Sequence, residues 1–225
     1  MFLLIASAFA APLNLFGGMA DGGAVAMAPT VYASGSGFNP LLYGTVGVES
    51  KADLTVGAGV GSDWTGATDA GGLDTMARYA LSDELVLGVH AGFSFDSPVA
   101  TVGPELHWTH SFGSVDVTAN AGWRAETMGN TSTVAIGVAP EVWVGDRVSL
   151  FMEIDPSVSL DPTTDSVASL MLVPGISVNV TDDGSQAMTF GVQLPAGDPS
   201  GELSVGLWYS VTVATERRSA VADAD

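Results

Sequence analysis

Long runs of strict alternation between apolar and polar residues constrain this chain more than any other feature. Within residues 114–124, Val115, Val117, Ala119, Ala121 and Trp123 share one parity, and Asp116, Thr118, Asn120, Gly122 and Arg124 share the other. Residues 148–160 repeat the pattern, with Val148, Leu150, Met152, Ile154, Val158 and Leu160 alternating with Ser149, Glu153, Asp155, Ser157 and Ser159. Successive side chains of a strand point to opposite faces, so a period of two marks strands with two unlike faces. No comparable stretch places apolar residues at helical spacing, and no apolar run approaches the roughly 20 residues of a spanning helix. The class is therefore all-β.

The alternating runs predict about twelve strands, with ten as the alternative count. The spans are 25–33, 41–49, 53–61, 73–81, 85–96, 99–110, 114–124, 132–144, 148–160, 167–180, 186–194 and 202–213. Short turns recur at 50–52, 82–84, 111–113, 145–147 and 181–185. Connections at the opposite end, 62–72, 125–131, 161–166 and 195–201, are longer, apart from a tight Ser97-Pro98. Short turns at one end and longer loops at the other are the plan of an up-and-down membrane barrel. Pro29, Pro104, Pro140, Pro156 and Pro174 fall inside the expected strands on the apolar parity, where each removes one ladder donor and predicts a bulge.

Composition separates the classes that alternation leaves open. Six Lys and Arg against 25 Asp and Glu give a net charge of −19, which argues against nucleic acid, because phosphate binding needs clustered cations. The chain has no cysteine, so disulfides, thiolate metal sites and Cys nucleophiles are excluded. Only 14% of residues are charged, and the polar faces carry Gly, Ser, Thr and Ala rather than Lys and Glu. A face washed by solvent is usually rich in long charged side chains, whereas a crowded lumen favours short ones. Tyr79, Phe93, Phe95, Trp108 and Trp123 sit near strand ends on the apolar parity, where interfacial girdles place amphipathic rings. In hydrocarbon every backbone group must be paired within the protein, which leaves helices or closed barrels. The alternative is a secreted or periplasmic soluble β-sandwich that binds a ligand or partner, with its Val/Leu faces buried between two layers.

Residues 1–10 read as a signal peptide, with the apolar stretch FLLIASAF and the small-x-small sequence Ala8-Phe9-Ala10, although the segment has no Lys or Arg. Residues 11–24 read as a flexible lead-in, 25–213 as the barrel, and 214–225 as a charged, disordered tail. On alternation, connection lengths and aromatic placement, residues 25–213 resemble a small up-and-down Gram-negative outer-membrane β-barrel. The resemblance implies export, insertion in the outer membrane, and contact with the lipid bilayer and lipopolysaccharide. The chain departs from the pattern in its ATERRSAVADAD end, where such proteins commonly close on an aromatic residue.

Parity assigns Arg78, His90, Glu105, Asn120, Arg124, Glu141, Glu153 and Asp155 to the lumen, as candidate contacts for a solute or ion. With two-residue geometry at Ser97-Pro98 and a tight turn at 111–113, His90, Glu105 and Asn120 are expected to form one cross-strand row. Carboxylate rings select cations, so the expected function is a passive channel for small cations or neutral solutes, or a structural surface barrel whose polar groups satisfy one another. Asp63, Asp69, Asp161, Asp165, Asp198 and Glu202 fall in outer connections, where they solvate loops. No metal site, cofactor or catalytic group is expected: the chain lacks G-x-S-x-G and H-E-x-x-H, and His110, the one outward His, has no Ser partner.

Overall fold

The computed structural model describes residues 22–49, 51–95, 99–129, 131–161, 163, 166–182, 185–196 and 201–214. The expected signal peptide, nearly all of the lead-in and the charged tail after Ala214 lie outside them. Twelve antiparallel strands close into one barrel, each pairing with its neighbours in sequence and the last with the first. They are β1 (Ala24–Ser34), β2 (Gly37–Glu49), β3 (Ala52–Asp63), β4 (Thr68–Ala80), β5 (Leu85–Ser94) and β6 (Ala100–Phe112), followed by β7 (Val115–Glu126), β8 (Ser132–Trp143), β9 (Val148–Leu160), β10 (Val167–Asn179), β11 (Gln186–Ala196) and β12 (Ser204–Ala214). The seam runs from Ala24 opposite Ala214 to Ser34 opposite Ser204. Twelve strands, and not ten, make the wall, and closure rules out the two-layer sandwich.

The faces follow the parity read from sequence. On β9, Leu150, Met152 and Ile154 are exposed on the outer wall, while Ser149, Glu153 and Asp155 are buried inside. The same inversion, apolar side out, holds on β1, where Met27 and Val31 are exposed and Thr30 is buried, and on β5, where Leu87 and Val89 are exposed and His90 is buried. Only a hydrocarbon surround makes such an exterior favourable around an entire closed sheet.

Two expectations need correction. The prolines do not produce bulges. Met27 pairs with Val211 and Thr30 with Trp208, so the register is unchanged across Pro29 and only the pairs at 28 and 29 are lost. On its other side Pro29 stays paired with Leu42. The same one-sided gap accompanies Pro104 against β7, Pro140 and Pro156 between β8 and β9, and Pro174 against β11. A residue donates its N–H to one neighbour only, so the missing donor interrupts a single ladder. The register shifts fall instead between Gly47 and Glu49 and between Gly59 and Gly61.

The contrast between short and long connections is also weaker than expected. β3 runs to Asp63 and β4 starts at Thr68, so the 62–72 connection shrinks to 64–67. β2 starts at Gly37, leaving only 35–36 between it and β1. Pro40 does not end β2, because it breaks pairing toward β3 while remaining opposite Val31 of β1.

Large inward side chains lie over glycines of adjacent strands. A Cβ at Gly57 would sit 2.5 Å from two ring atoms of Tyr43, and one at Gly191 would sit 3.2 Å from the Trp208 ring. Phe151 covers Gly175 in the same way. These rings therefore lie along the wall. Gly57→Leu should destabilise the barrel by about 1–3 kcal/mol, the range for an overfilled core. Most of that loss should return in the double variant with Tyr43→Ala, as read from denaturant unfolding of the refolded protein in detergent micelles.

Candidate functional site: the lumen

Inward polar groups divide between two sectors. The first, on β3–β7, holds the described cationic side chains of the lumen. Arg78 on β4 lies directly opposite Asp53 on β3. Its Nε donates to Asp53 Oδ1 at 2.9 Å and its Nη2 to Oδ2 at 2.6 Å. The two side chains are 5% and 0% exposed. This two-pronged geometry is what guanidinium and carboxylate form best. One strand further on, His90 Nε2 contacts Asp74 Oδ1. On β6 and β7, Arg124 donates through Nε (3.0 Å) and Nη2 to Glu105 Oε1. His107 Nε2 stands 3.5 Å from the other Glu105 oxygen.

Glycine makes this crowding possible. Glu105 lies opposite Gly88 on β5 and Gly122 on β7. A Cβ at Gly122 would meet Glu105 Cγ at 3.1 Å, and one at Gly88 would meet His107 Nε2 at 3.5 Å. Bare backbone on both sides thus leaves room for Arg124 and His107 to converge on one carboxylate.

The expected row of His90, Glu105 and Asn120 is not formed. His90 lies opposite Gly103, and Asn120 lies opposite His107. All three face inward as predicted, but the register is displaced by two residues at both hairpins. Phe93 is the partner of Ala100, so residues 94–99 lie between the paired positions rather than Ser97-Pro98 alone. Phe112 is the partner of Val115, which makes the turn Gly113-Ser114. Gly113 has φ +71°, a conformation that tight two-residue hairpins require and glycine adopts freely. The glycine inside the 111–113 stretch was the available signal.

The second sector lies on β8–β10. Ser149 donates to Glu141, and Trp143 Nε1 donates to Asp116 at 2.7 Å. Glu153 and Asp155 follow two apart on β9, and both are buried on the inward face. Hydroxyls pair directly across the wall at Thr45–Thr55 (2.8 Å), Ser157–Ser169 (2.7 Å) and Ser177–Thr189 (2.9 Å). Beside this sector stands a cluster the sequence reading missed: Tyr32, Phe151, Val173 and Trp208 pack together inside, with Leu41 and Met171 against them. Tyr32 meets Trp208 edge-on at 5.4 Å. Their parity matched Thr30, Glu153 and other inward residues, but an apolar side chain on a polar face reads as noise until the register shows the glycine beneath it.

On the outer wall, Tyr79, Phe93, Phe95 and Trp123 are exposed. Trp108 is half-buried and stacks on His110 at 5.9 Å with the rings nearly parallel. Tyr79 and Trp108 lie toward the rim that carries the termini, and Phe93, Phe95 and Trp123 toward the other. His110 Nδ1 is 2.7 Å from Glu84 Oε1. At the second rim, Asp63 and Asp161 accept hydrogen bonds from backbone N–H groups of their own loops. Glu202 accepts from Ser36 (2.6 Å) and Ser34 (3.1 Å), and the Ser36 hydroxyl holds its carboxyl below the usual range. Asp69, Asp165 and Asp198 have side chains outside the described set.

No protein-family model matches the chain, and no curated protein matches its sequence. Solved structures do match its fold. The KdgM porin, solved in complex with disordered oligogalacturonate, aligns at TM-score 0.61 and 7% identity, over 83% of this chain and 98% of the porin. An outer-membrane channel from Pseudomonas putida F1 aligns at 0.61 and 10%, over 87% and 97%. The translocator domain of the autotransporter NalP from Neisseria meningitidis aligns at 0.61 and 12%, over 95% and 96%. The fold is that of the outer-membrane β-barrels.

Removing Arg78 takes away the guanidinium that balances the buried Asp53 carboxyl. Arg78→Met should lower stability by about 3–5 kcal/mol, and adding Asp53→Leu should recover most of it, as for other buried pairs replaced by apolar groups. Unfolding midpoints of the single and double variants check this.

Proposed function

We propose that the protein is an integral outer-membrane barrel acting as a narrow passive channel for small cations, with the lipid bilayer and lipopolysaccharide as its surroundings. The observation that carries the reading is the sign of the lumen. Asp53, Asp74, Glu105, Glu141, Glu153 and Asp155 face inward, against Arg78 and Arg124 among the described Lys and Arg. A carboxylate-rich wall in a confined, low-dielectric bore attracts cations and repels anions. The fold likeness to porins and channels supports the same reading, and so does an exterior matched to hydrocarbon. Small cations suit this wall better than neutral molecules, which gain nothing from its charge.

A second reading, a structural surface barrel, is favoured by the filling of the bore. Glu153 and Val173 are 0% exposed and His107 is 1% exposed, so inward side chains meet one another at mid-height.

Planar-bilayer recording across a KCl gradient tests both. A reversal potential of the sign set by cation flux is the expected result. Anion selectivity overturns the channel reading, and absence of conductance leaves the structural barrel.

A further inference from the structure

Prolines interrupt the wall unevenly. Pro29, Pro40, Pro104 and Pro174 each break the ladder toward one neighbour, and those breaks fall in four different seams. The β8–β9 seam has two. Pro140 keeps its partner Val117 on β7, and Pro156 keeps Leu170 on β10, so both turn their missing donors toward the seam they share. Pairing there runs from Ser132–Leu160 to Ala135–Ser157, resumes at Val138–Ile154, and resumes again from Glu141–Phe151 to Trp143–Ser149. That constant register sets Ile136 opposite Pro156 and Met152 opposite Pro140. The carbonyls of Ile136 and Met152 therefore lose their ladder donors near the middle of both strands.

Side chains of β8 do not make good the loss. Residues 136–140 are Ile, Gly, Val, Ala and Pro, none of which hydrogen-bonds through its side chain. Ile136 and Val138 are exposed on the outer wall, and Ala139 is buried inside. The window is closed at both ends, by four consecutive pairs on one side and by three on the other, where Ser149 also donates to Glu141. It lies, moreover, between two unbroken seams: β7–β8 carries eleven consecutive pairs and β9–β10 twelve. Hydrocarbon offers nothing to replace an absent ladder donor, so this stretch is held less firmly than its surroundings.

We propose that the wall opens locally at this seam: β8 and β9 part at 136–140 and 152–156 while the flanking ladders stay zipped, so the barrel carries a lateral hinge at mid-height. The inference requires the closed barrel and not permeation. The β1–β12 closure, where the sheet joins its ends, is a less favourable place to part. It holds nine pairs around one missing donor, and Tyr32 meets Trp208 across it. Opening at β8–β9 bares the carbonyls of Ile136 and Met152 to water from the bore, which supplies the donors that the prolines withhold.

Amide hydrogen exchange, read by NMR on the full chain folded in detergent micelles, tests this, because adjacent residues report on different seams. The N–H groups along a strand alternate between its two neighbours. Pro156 turns toward β8, so Ile154 donates toward β8, and Asp155, at the same depth, toward β10. Protection at Ile154 and at its partner Val138 should be lower by about tenfold or more than at Asp155 and its partner Met171, the effect of two absent hydrogen bonds. Pro140→Ala with Pro156→Ala restores both donors and should remove most of that difference. Equal protection at Ile154 and Asp155 in the unaltered protein overturns the proposal, and this comparison needs no variant. So does a difference that survives the double substitution.

Discussion

Pairing of the first strand with the last is the constraint from which the rest of this structure follows. An open sheet leaves two rows of N–H and C=O groups, and hydrocarbon offers them no partner. The nine register pairs between β1 and β12 remove both rows at once. With the sheet closed, the wall is a single layer, and its two faces must answer to different surroundings. The period-two sequence is the record of that demand: Val, Leu and Ile outside, hydroxyls, carboxylates and glycine inside.

A one-layer wall also determines how the interior is filled. No second layer packs against the inward face, so large side chains must be held by the wall itself or by groups across the bore. Both arrangements occur. Rings lie flat over glycines of adjacent strands, as Tyr43 does over Gly57 and Phe151 over Gly175. Charges bridge neighbouring strands, as Arg78 does to Asp53 and Arg124 to Glu105. The bore is consequently lopsided, with cation-balanced acids on β3–β7 and an aromatic cluster beside an acid pair on the opposite arc.

Much of this was legible in the sequence. Alternation has a local cause, the pleat, so strand number, strand class and the face of each lumen candidate could be read residue by residue. Register has a non-local cause, the geometry of each connection. The His90, Glu105 and Asn120 row was expected from turn positions misplaced by one residue, which moves every pairing by two and preserves parity while exchanging partners. The proline expectation failed for a related reason. A strand in mid-sheet bonds to two neighbours alternately, and a missing donor silences one contact without shifting the chain. Tyr32, Phe151 and Trp208 were unreadable as lumen residues because their accommodation depends on glycines of adjacent strands.

The ring-over-glycine contacts have a consequence for how such a bore changes its calibre. The volume at each contact is shared between two positions, so neither residue sets the width alone. Trimming Trp208 bares the backbone at Gly191 and Gly206 and leaves a notch in the wall rather than a wider passage. Enlarging a glycine drives the ring inward and narrows the opening. Redesign of the conduit therefore proceeds by coordinated exchanges, and descendants with different apertures should carry compensating substitutions at paired sites on neighbouring staves.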